Sequence, residues 1–235
     1  MQYQKVFQRS ELKYLLTGEQ TQLLKAAIEP YMEPDRFAFA TIRNIYFDTE
    51  NYRMIRRSLE KPVYKEKLRI RCYRQIRPGE SVFVELKKKF RGTVYKRRIA
   101  MPYEEALTWL ERGDRIPSGQ IPAEIEYVRR FYGDLRPQVF LSYDREAYAC
   151  RAGSDLRLTF DGNVLCRQTE LSLTQPPGGH SLLPADRVLM EIKTSGGMPL
   201  WLTALLTKER ICRTSFSKYG TAYETMICQG GIIHA

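Results

Sequence analysis

Charged side chains recur at every second position in most segments of the chain that have strand-like composition. Alternate residues of a β-strand point to the same face of a sheet, so each of these segments has one charged face. The chain is therefore restricted to folds in which a sheet has one charged face and one apolar face. The sets that share a face are Arg9, Glu11 and Lys13; Lys67, Arg69 and Arg71; Glu85, Lys87 and Lys89; Lys96 and Arg98; and Glu191 and Lys193.

The sign of these charges distinguishes the face from an ordinary solvated surface. A sheet with one wet face also alternates charged and apolar residues, and for a single strand that is the simpler interpretation. Taken together, however, the sets contain mostly Arg and Lys, whereas solvated faces mix the two signs more evenly. Arg donates paired hydrogen bonds to phosphate oxygens, and Lys supplies a movable positive charge. A cationic inner surface with a few carboxylates therefore suits a phosphate ligand.

Strand-like segments dominate the chain, and helical segments interrupt them. Short Gly-containing loops between successive strands predict antiparallel pairing, and Asp161-Gly162-Asn163 predicts a turn inside the seventh strand. This order indicates an α+β domain built on a large antiparallel sheet or barrel. The predicted strands are 6–16, 40–47, 64–75, 81–89, 93–101, 137–150, 156–167 and 187–194, and the predicted helices are 17–29, 51–60, 102–113, 122–133, 199–208 and 219–228.

Composition limits the class of protein. The hydrophobic fraction of 43% supports one globular domain over residues 1–235, and a formal net charge of +11 favours a polyanionic partner. No segment approaches the roughly 18 to 20 apolar residues of a membrane-spanning helix, and the first residues lack the apolar run of a secretion signal. Five cysteines without C-x-x-C spacing predict neither a disulfide framework nor a zinc site. We expect a cytoplasmic protein.

Eight short motifs follow one another along nearly the whole chain. They are R-x-E-x-K-Y at 9–14, IYFDT at 45–49, LRIR at 68–71, VELKKK at 84–89, SYDR at 142–145, RLTFD at 157–161, MEIK at 190–193 and FSKYG at 216–220. Each motif is weak alone, but their order and spacing together are specific. By these motifs the chain resembles the catalytic domain of the vacuolar transporter chaperone (VTC) polyphosphate polymerases, a branch of the CYTH-like triphosphate tunnel metalloenzymes.

The resemblance implies an eight-stranded antiparallel β-barrel tunnel with flanking helices, in which inward basic residues grip a triphosphate or polyphosphate. Arg69, Arg71, Glu191 and Lys218 are the candidate catalytic residues, and Lys218 is expected to orient a phosphate. Lys96 competes with Arg97 and Arg98 for the inward position on its strand. The candidate phosphate-binding residues are Lys13, Arg69, Arg71, Lys87, Lys96, Arg145, Arg157, Lys193, Ser217, Lys218 and Tyr219.

The resemblance also implies a divalent cation, Mn²⁺ or Mg²⁺. Glu191 matches the metal-binding glutamate of the family. Glu11 and Glu85 are further metal candidates, with pairing to tunnel arginines as the alternative role. The wider superfamily commonly opens with E-x-E-x-K, whereas this chain has Arg9 in place of the first glutamate. Loss of one acid is expected to reduce metal binding and to favour binding of a phosphate chain.

The leading functional hypothesis is a metal-dependent polyphosphate polymerase that transfers the γ-phosphoryl group of ATP to a growing polyphosphate chain. Two alternatives remain open: a triphosphatase that uses water as the acceptor, and a non-catalytic sensor of polyphosphate or inositol polyphosphate. The expected partners are ATP and inorganic polyphosphate. Nucleic acid is not expected, because no segment resembles an RNA-binding sheet with exposed aromatic residues. The sequence predicts no transmembrane segment and leaves any membrane or accessory partner unknown.

Overall fold

The computed structural model of the chain describes residues 10–228. Its elements confirm the α+β class and the predominance of antiparallel strands. The strands are β1 (Ser10–Thr17), β2 (Met32–Asp48), β3 (Tyr64–Cys72), β4 (Ser81–Phe90), β5 (Thr93–Pro102), β6 (Arg136–Cys150), β7 (Arg157–Arg167), β8 (His180–Ser181) and β9 (Arg187–Thr194). The helices are α1 (Gly18–Ile28), α2 (Arg53–Leu59), α3 (Tyr103–Arg112), α4 (Gln120–Tyr132), α5 (Leu200–Lys208) and α6 (Lys218–Ala222), which continues as a π-helical turn, Tyr223–Cys228.

The strands form one antiparallel sheet in the order β1-β9-β7-β6-β2-β3-β4-β5, with β8 paired to β7. The prediction of a closed barrel is wrong in one respect, because β1 and β5 are not paired within residues 10–228. The free edge of β1 is instead occupied by the segment before α6: Tyr14 bridges Arg213, and the Thr214 amide donates to the Lys13 carbonyl at 2.8 Å. The sheet nevertheless curls, since Lys87 of β4 reaches Glu11 of β1 at 2.9 Å.

The apolar residues between the charges form a core on the outer face of the sheet. Leu68, Val84 and Leu86 are fully buried on β3 and β4, where they pack in one cluster with Trp109 of α3 and Ile125 of α4. A second cluster joins β1, β7 and β9 to α1 and α5. Helices α1, α3, α4 and α5 therefore cover the outside of the sheet, and the charged face is turned inward. Helix α6 packs in a third cluster with Tyr46 and Tyr143. None of the helices in the described part of the chain is long and apolar enough to cross a membrane.

Strand β2 is longer than predicted. β2 begins at Met32 rather than at residue 40, and it includes Pro34. Proline is tolerated there because β2 pairs only with β6 at that end, and the register shifts between Pro34 and Phe39.

The turn predicted at Asp161-Gly162-Asn163 is also wrong, because β7 runs continuously through these residues. The register between β6 and β7 shifts between Ser142 and Asp144, and Asn163 has a φ of 48°. The turn-forming residues therefore produce a bulge within the strand and do not reverse the chain. Asp161 consequently keeps the strand alternation and points to the same face as Thr159.

The long loop after β7 is fixed to the sheet at a glycine. Gly179 has a φ of 121°, and a Cβ atom there would lie 2.1 Å from the Cys166 carbonyl oxygen. Its neighbour Gly178 has an ordinary φ, and a Cβ atom there would meet only the Arg167 side chain at 3.9 Å. The close approach at Gly179 lets His180 and Ser181 pair with β7.

Gly179→Ala should therefore destabilise the protein by about 2 kcal/mol or more, because it adds backbone strain and a clash with the Cys166 carbonyl. Gly178→Ala is the matched control and should change the free energy of unfolding by less than about 0.5 kcal/mol. Denaturant unfolding followed by circular dichroism measures both values. Equal effects of the two substitutions would contradict this packing of the loop.

Candidate phosphate-binding site

The inner face of the curved sheet gathers basic side chains from most of its strands. Alternation along each strand brings them together, and α6 adds Lys218. The basic residues of this inner face are Lys13, Lys67, Arg69, Arg71, Lys87, Lys96, Arg98, Arg145, Lys193 and Lys218, and the acidic residues among them are Glu11, Glu85, Asp161 and Glu191.

Glu191 lies at the centre of the first cluster of charges. Its carboxylate is 3.0 Å from Lys193 Nζ, 3.4 Å from an Arg145 guanidinium nitrogen and 3.6 Å from the amines of both Lys13 and Lys218. Burial alone would raise the pKa of Glu191, but the attraction of Lys193, Lys218 and Arg145 outweighs it and holds the pKa well below its usual range. Glu191 therefore remains ionised at neutral pH.

Asp161 completes this first cluster and is fully buried. Arg145 Nε donates to one of its oxygens at 2.6 Å, and Lys218 Nζ donates to the other at 2.5 Å. Burial would raise the pKa of Asp161, yet Lys218 and Arg145 lower it. The carboxylate thus fixes the positions of two cations that would otherwise repel each other.

Glu85 organises the second cluster, on β3, β4 and β5. Its side chain is 1% exposed and lies 2.8 Å from Arg69, 2.7 Å from Lys96 and 2.5 Å from Arg98. Arg71 is 3.8 Å away and also donates to the Asn44 side chain at 2.8 Å. This geometry favours the role of Glu85 as a partner of tunnel arginines.

The register of β5 shows which of its three basic residues point to the inner face. Lys96 and Arg98 lie opposite Lys87 and Glu85 on the inner face. Arg97 faces outward, where its Nε donates to Glu124 of α4 at 3.0 Å. Lys96, rather than Arg97, therefore occupies the inward position.

Lys67 and Lys87 lie between the two clusters. Lys87 pairs with Glu11 at 2.9 Å, whereas Lys67 donates to the Ser217 hydroxyl at 2.9 Å and has no ion pair with any of residues 10–228. Burial, together with repulsion from Lys87 and Lys13, lowers the pKa of Lys67 to about 7. A phosphate anion would supply the negative charge that Lys67 lacks.

Two of the predicted phosphate-binding residues lie away from this interior. Arg157 is at the end of its strand, where its side chain is 54% exposed and lies 3.5 Å from Asp35. Tyr219 is buried, stacks on Tyr46 with ring centroids 4.4 Å apart and donates to Asp48 at 3.0 Å. Its position indicates that it supports the α6 segment.

Three residues of the inner face, Asp161, Lys67 and Arg98, were not among the predicted site residues. The two-residue spacing from Arg157 through Thr159 was the signal for Asp161, but the turn-like Asp-Gly-Asn composition obscured it. Lys67 shared a face with Arg69 and Arg71 in the sequence pattern, and only the structure shows that it lacks an acidic partner in the described part of the chain. Arg9 lies outside the described residues.

The carboxylates of the inner face are the side chains there that can bind a divalent cation. Residues 10–228 contain no group of three or more His, Cys, Asp or Glu side chains arranged to hold a metal. Glu11 and Glu191 both approach Lys13, at 3.7 and 3.6 Å, so their carboxylates lie near each other. Mg²⁺ is commonly held by one or two carboxylates together with substrate phosphates and water. Glu191 with Glu11 fits that arrangement, and Glu85 does not.

An antiparallel sheet curved around paired arginines, lysines and carboxylates, with helices outside, is the architecture of the triphosphate tunnel class. A family model named VTC domain matches residues 8–227. The chain therefore belongs to the VTC domain family. A search of curated proteins finds no match.

One solved structure supports the same fold. A candidate adenylate cyclase from Bacillus halodurans matches 90% of this chain and 96% of its own, at 16% identity and a TM-score of 0.56. A candidate adenylate cyclase from Vibrio parahaemolyticus matches 91% of this chain and 97% of its own, at 11% identity and a TM-score of 0.46. The Mimivirus capping enzyme triphosphatase matches 86% of this chain and 89% of its own, at 11% identity and a TM-score of 0.35. At these identities the first likeness shows the fold alone, and the other two are too distant to argue from.

The lowered pKa of Lys67 predicts a pH-dependent affinity for tripolyphosphate. An anion bound beside Lys67 raises the pKa of its amine, so binding takes up a proton, and affinity should fall by up to about tenfold per pH unit above pH 7. Lys96, whose pKa is also lowered to about 7, contributes a second proton, so with both amines the fall approaches about hundredfold per pH unit. Lys67→Met should reduce the proton uptake measured by calorimetry in buffers of different ionisation enthalpy by about one proton. If Lys67→Met takes up as many protons as the native protein on binding tripolyphosphate, the Lys67 amine is not a group that gains a proton.

Asp161→Asn should destabilise the free protein by up to about 3 to 5 kcal/mol, because it leaves Arg145 and Lys218 buried with only their longer contacts to Glu191. Tripolyphosphate should restore part of the loss, since the ligand supplies negative charge to the same cations. The control is Asp144→Asn, which removes an equal charge from an exposed position on β6. Thermal unfolding with and without ligand measures the difference, and equal losses in the two variants would contradict the buried pairing.

Proposed function

We propose that the protein is a metal-dependent polyphosphate polymerase, which transfers the γ-phosphoryl group of ATP to the end of an inorganic polyphosphate chain. The observation that carries the proposal is the inner face itself. Basic side chains outnumber carboxylates there, and the carboxylates hold them at fixed positions. Phosphoryl transfer depends mainly on such positioning and on neutralising charge on the phosphate oxygens.

Arg69 and Arg71 are the residues proposed to bind the triphosphate of ATP. Both guanidinium groups have fixed orientations, Arg69 through Glu85 and Arg71 through Asn44 and Tyr143. An arginine held in this way loses little side-chain entropy when it binds phosphate oxygens. Lys67 and Lys87 extend the positive surface toward β1, where the acceptor chain is proposed to lie.

Glu191, with Glu11, would hold Mn²⁺ or Mg²⁺ against the phosphates. When bound, the cation neutralises charge that develops on the phosphate oxygens. Lys13 and Lys193 now make the contacts to Glu191 that such an ion would replace, and they would then be available to phosphate oxygens. The carboxylate thus exchanges partners when a ligand arrives.

The acceptor needs no side-chain nucleophile in this proposal. The terminal phosphate oxygen of the polymer attacks the γ-phosphorus, the bond to the β-phosphate oxygen breaks, and ADP leaves. The side chains hold the two phosphates in line. Lys218 is 8% exposed and bonded to Asp161, so we assign it the positioning of Arg145 through that carboxylate.

Purified protein incubated with ATP and Mn²⁺, with and without a short polyphosphate primer, tests the function when the phosphate products are resolved by length. A growing ladder with matching ADP supports the polymerase. Free phosphate alone would contradict it in favour of a triphosphatase. Tight binding of polyphosphate without turnover would contradict it in favour of a sensor.

Arg71→Ala and Glu191→Gln should each lower the turnover by about 100-fold or more, because each removes a charge aimed at the reacting phosphates. Arg97→Ala is the matched control, since Arg97 faces outward toward Glu124, and it should keep turnover within about twofold of the native value. Circular dichroism checks that the fold is intact. Near-native turnover in either tunnel variant would contradict the assignment of the site.

A further inference from the structure

A cavity lies at the open seam of the sheet, between β1 and the β4–β5 hairpin. Its volume is about 410 Å³. We call it the seam cavity. Its polar and charged lining residues are Ser10, Glu11, Lys89, Thr93, Ser195 and Arg213.

The two cations of the seam cavity differ from those of the inner face. Lys89 and Arg213 are exposed, and neither forms an ion pair or a side-chain hydrogen bond with another residue between 10 and 228. Ser10, Thr93 and Ser195 line the same cavity. The cavity thus offers unpaired positive charge together with hydrogen-bond donors, which suits a phosphate group.

The seam cavity is adjacent to the inner face through Glu11. This side chain lines the cavity, and its carboxylate is 2.9 Å from Lys87 Nζ and 3.7 Å from Lys13 Nζ. Lys89 also follows Lys87 on the same face of β4. At about 3.3 Å per residue, Lys89 lies roughly 13 Å along the strand from Glu85. A triphosphate held by the Glu85 cations would therefore end before Lys89, whereas a longer phosphate chain would reach it.

We propose that the seam cavity is a binding site for the part of a polyphosphate chain that extends beyond the inner face. The inference rests on the proposed function, to which it adds a path for the polymer. The polymer would leave the interior between β1 and β4, past Glu11, and contact Lys89 and Arg213. None of the residues that line the cavity is aromatic, so it lacks the stacking surface that a nucleic acid strand uses.

The test compares a short and a long ligand on the Lys89→Ala/Arg213→Ala double variant. Calorimetry measures the affinity for tripolyphosphate and for a linear polyphosphate long enough to extend well beyond the inner face. Tripolyphosphate affinity should stay within about twofold of the native value, while the affinity for the long chain should fall about tenfold, as expected for two exposed charge contacts. The affinity for the long chain should also depend less steeply on salt.

The control variant also removes two positive charges, but outside the seam cavity. Arg91→Ala/Lys208→Ala neutralises two exposed cations, one of them on the same hairpin, and neither residue lines the seam cavity. Equal loss in both double variants, or no loss in the first, would overturn the seam site and leave the proposed function standing. A native protein that binds neither ligand would contradict the proposed function itself, so the two failures are distinguishable.

Discussion

The pairing of buried carboxylates with cations on the inner face is the interaction on which the structure depends. Glu85 and Asp161 are almost inaccessible to water, and each contacts at least two basic groups within 2.8 Å. Without these acids the curved sheet would bring like charges together in a medium that screens them poorly. With them, the sheet can curl around a charged interior while its apolar face packs against helices.

The alternation of charged and apolar residues along the strands predicted much of the fold and of the inner face. It indicated an antiparallel α+β fold with one cationic face, and it placed Lys96 and Arg98 on the same side of β5. It did not decide which side of β5 faced inward, because that depends on the register of the β4–β5 hairpin, which places Glu85 opposite Arg98. Asp161 was missed because Gly162 and Asn163 have turn-forming composition, which the structure uses for a bulge. Closure of the barrel was predicted, but the segment at Arg213 occupies the edge of β1. Such competition between segments leaves no local signal.

The same ion pairs hold the cations of the inner face in fixed positions before a ligand binds. Each cation already has a defined position, so a phosphate chain would displace carboxylates without having to order flexible side chains. Lys67 is the exception, since it has no acidic partner within residues 10–228, and burial together with repulsion from Lys87 and Lys13 lowers its pKa. The first cluster contains the carboxylates suited to a divalent cation, and the second contains the arginines suited to a triphosphate. Glu191 and Glu11 lie on β9 and β1, whereas Arg69 and Arg71 lie on β3, so the two roles belong to different parts of the sheet.

A crystal structure with a non-hydrolysable ATP analogue and Mn²⁺ would test the proposed triphosphate and metal sites together. We expect the triphosphate on the inner face, in contact with Arg69 and Arg71, and the metal bound by Glu191 together with phosphate oxygens. Glu85 should keep at least one of its cationic partners and should not bind the metal. A triphosphate bound on the outer surface, or a metal bound by Glu85, would contradict the account.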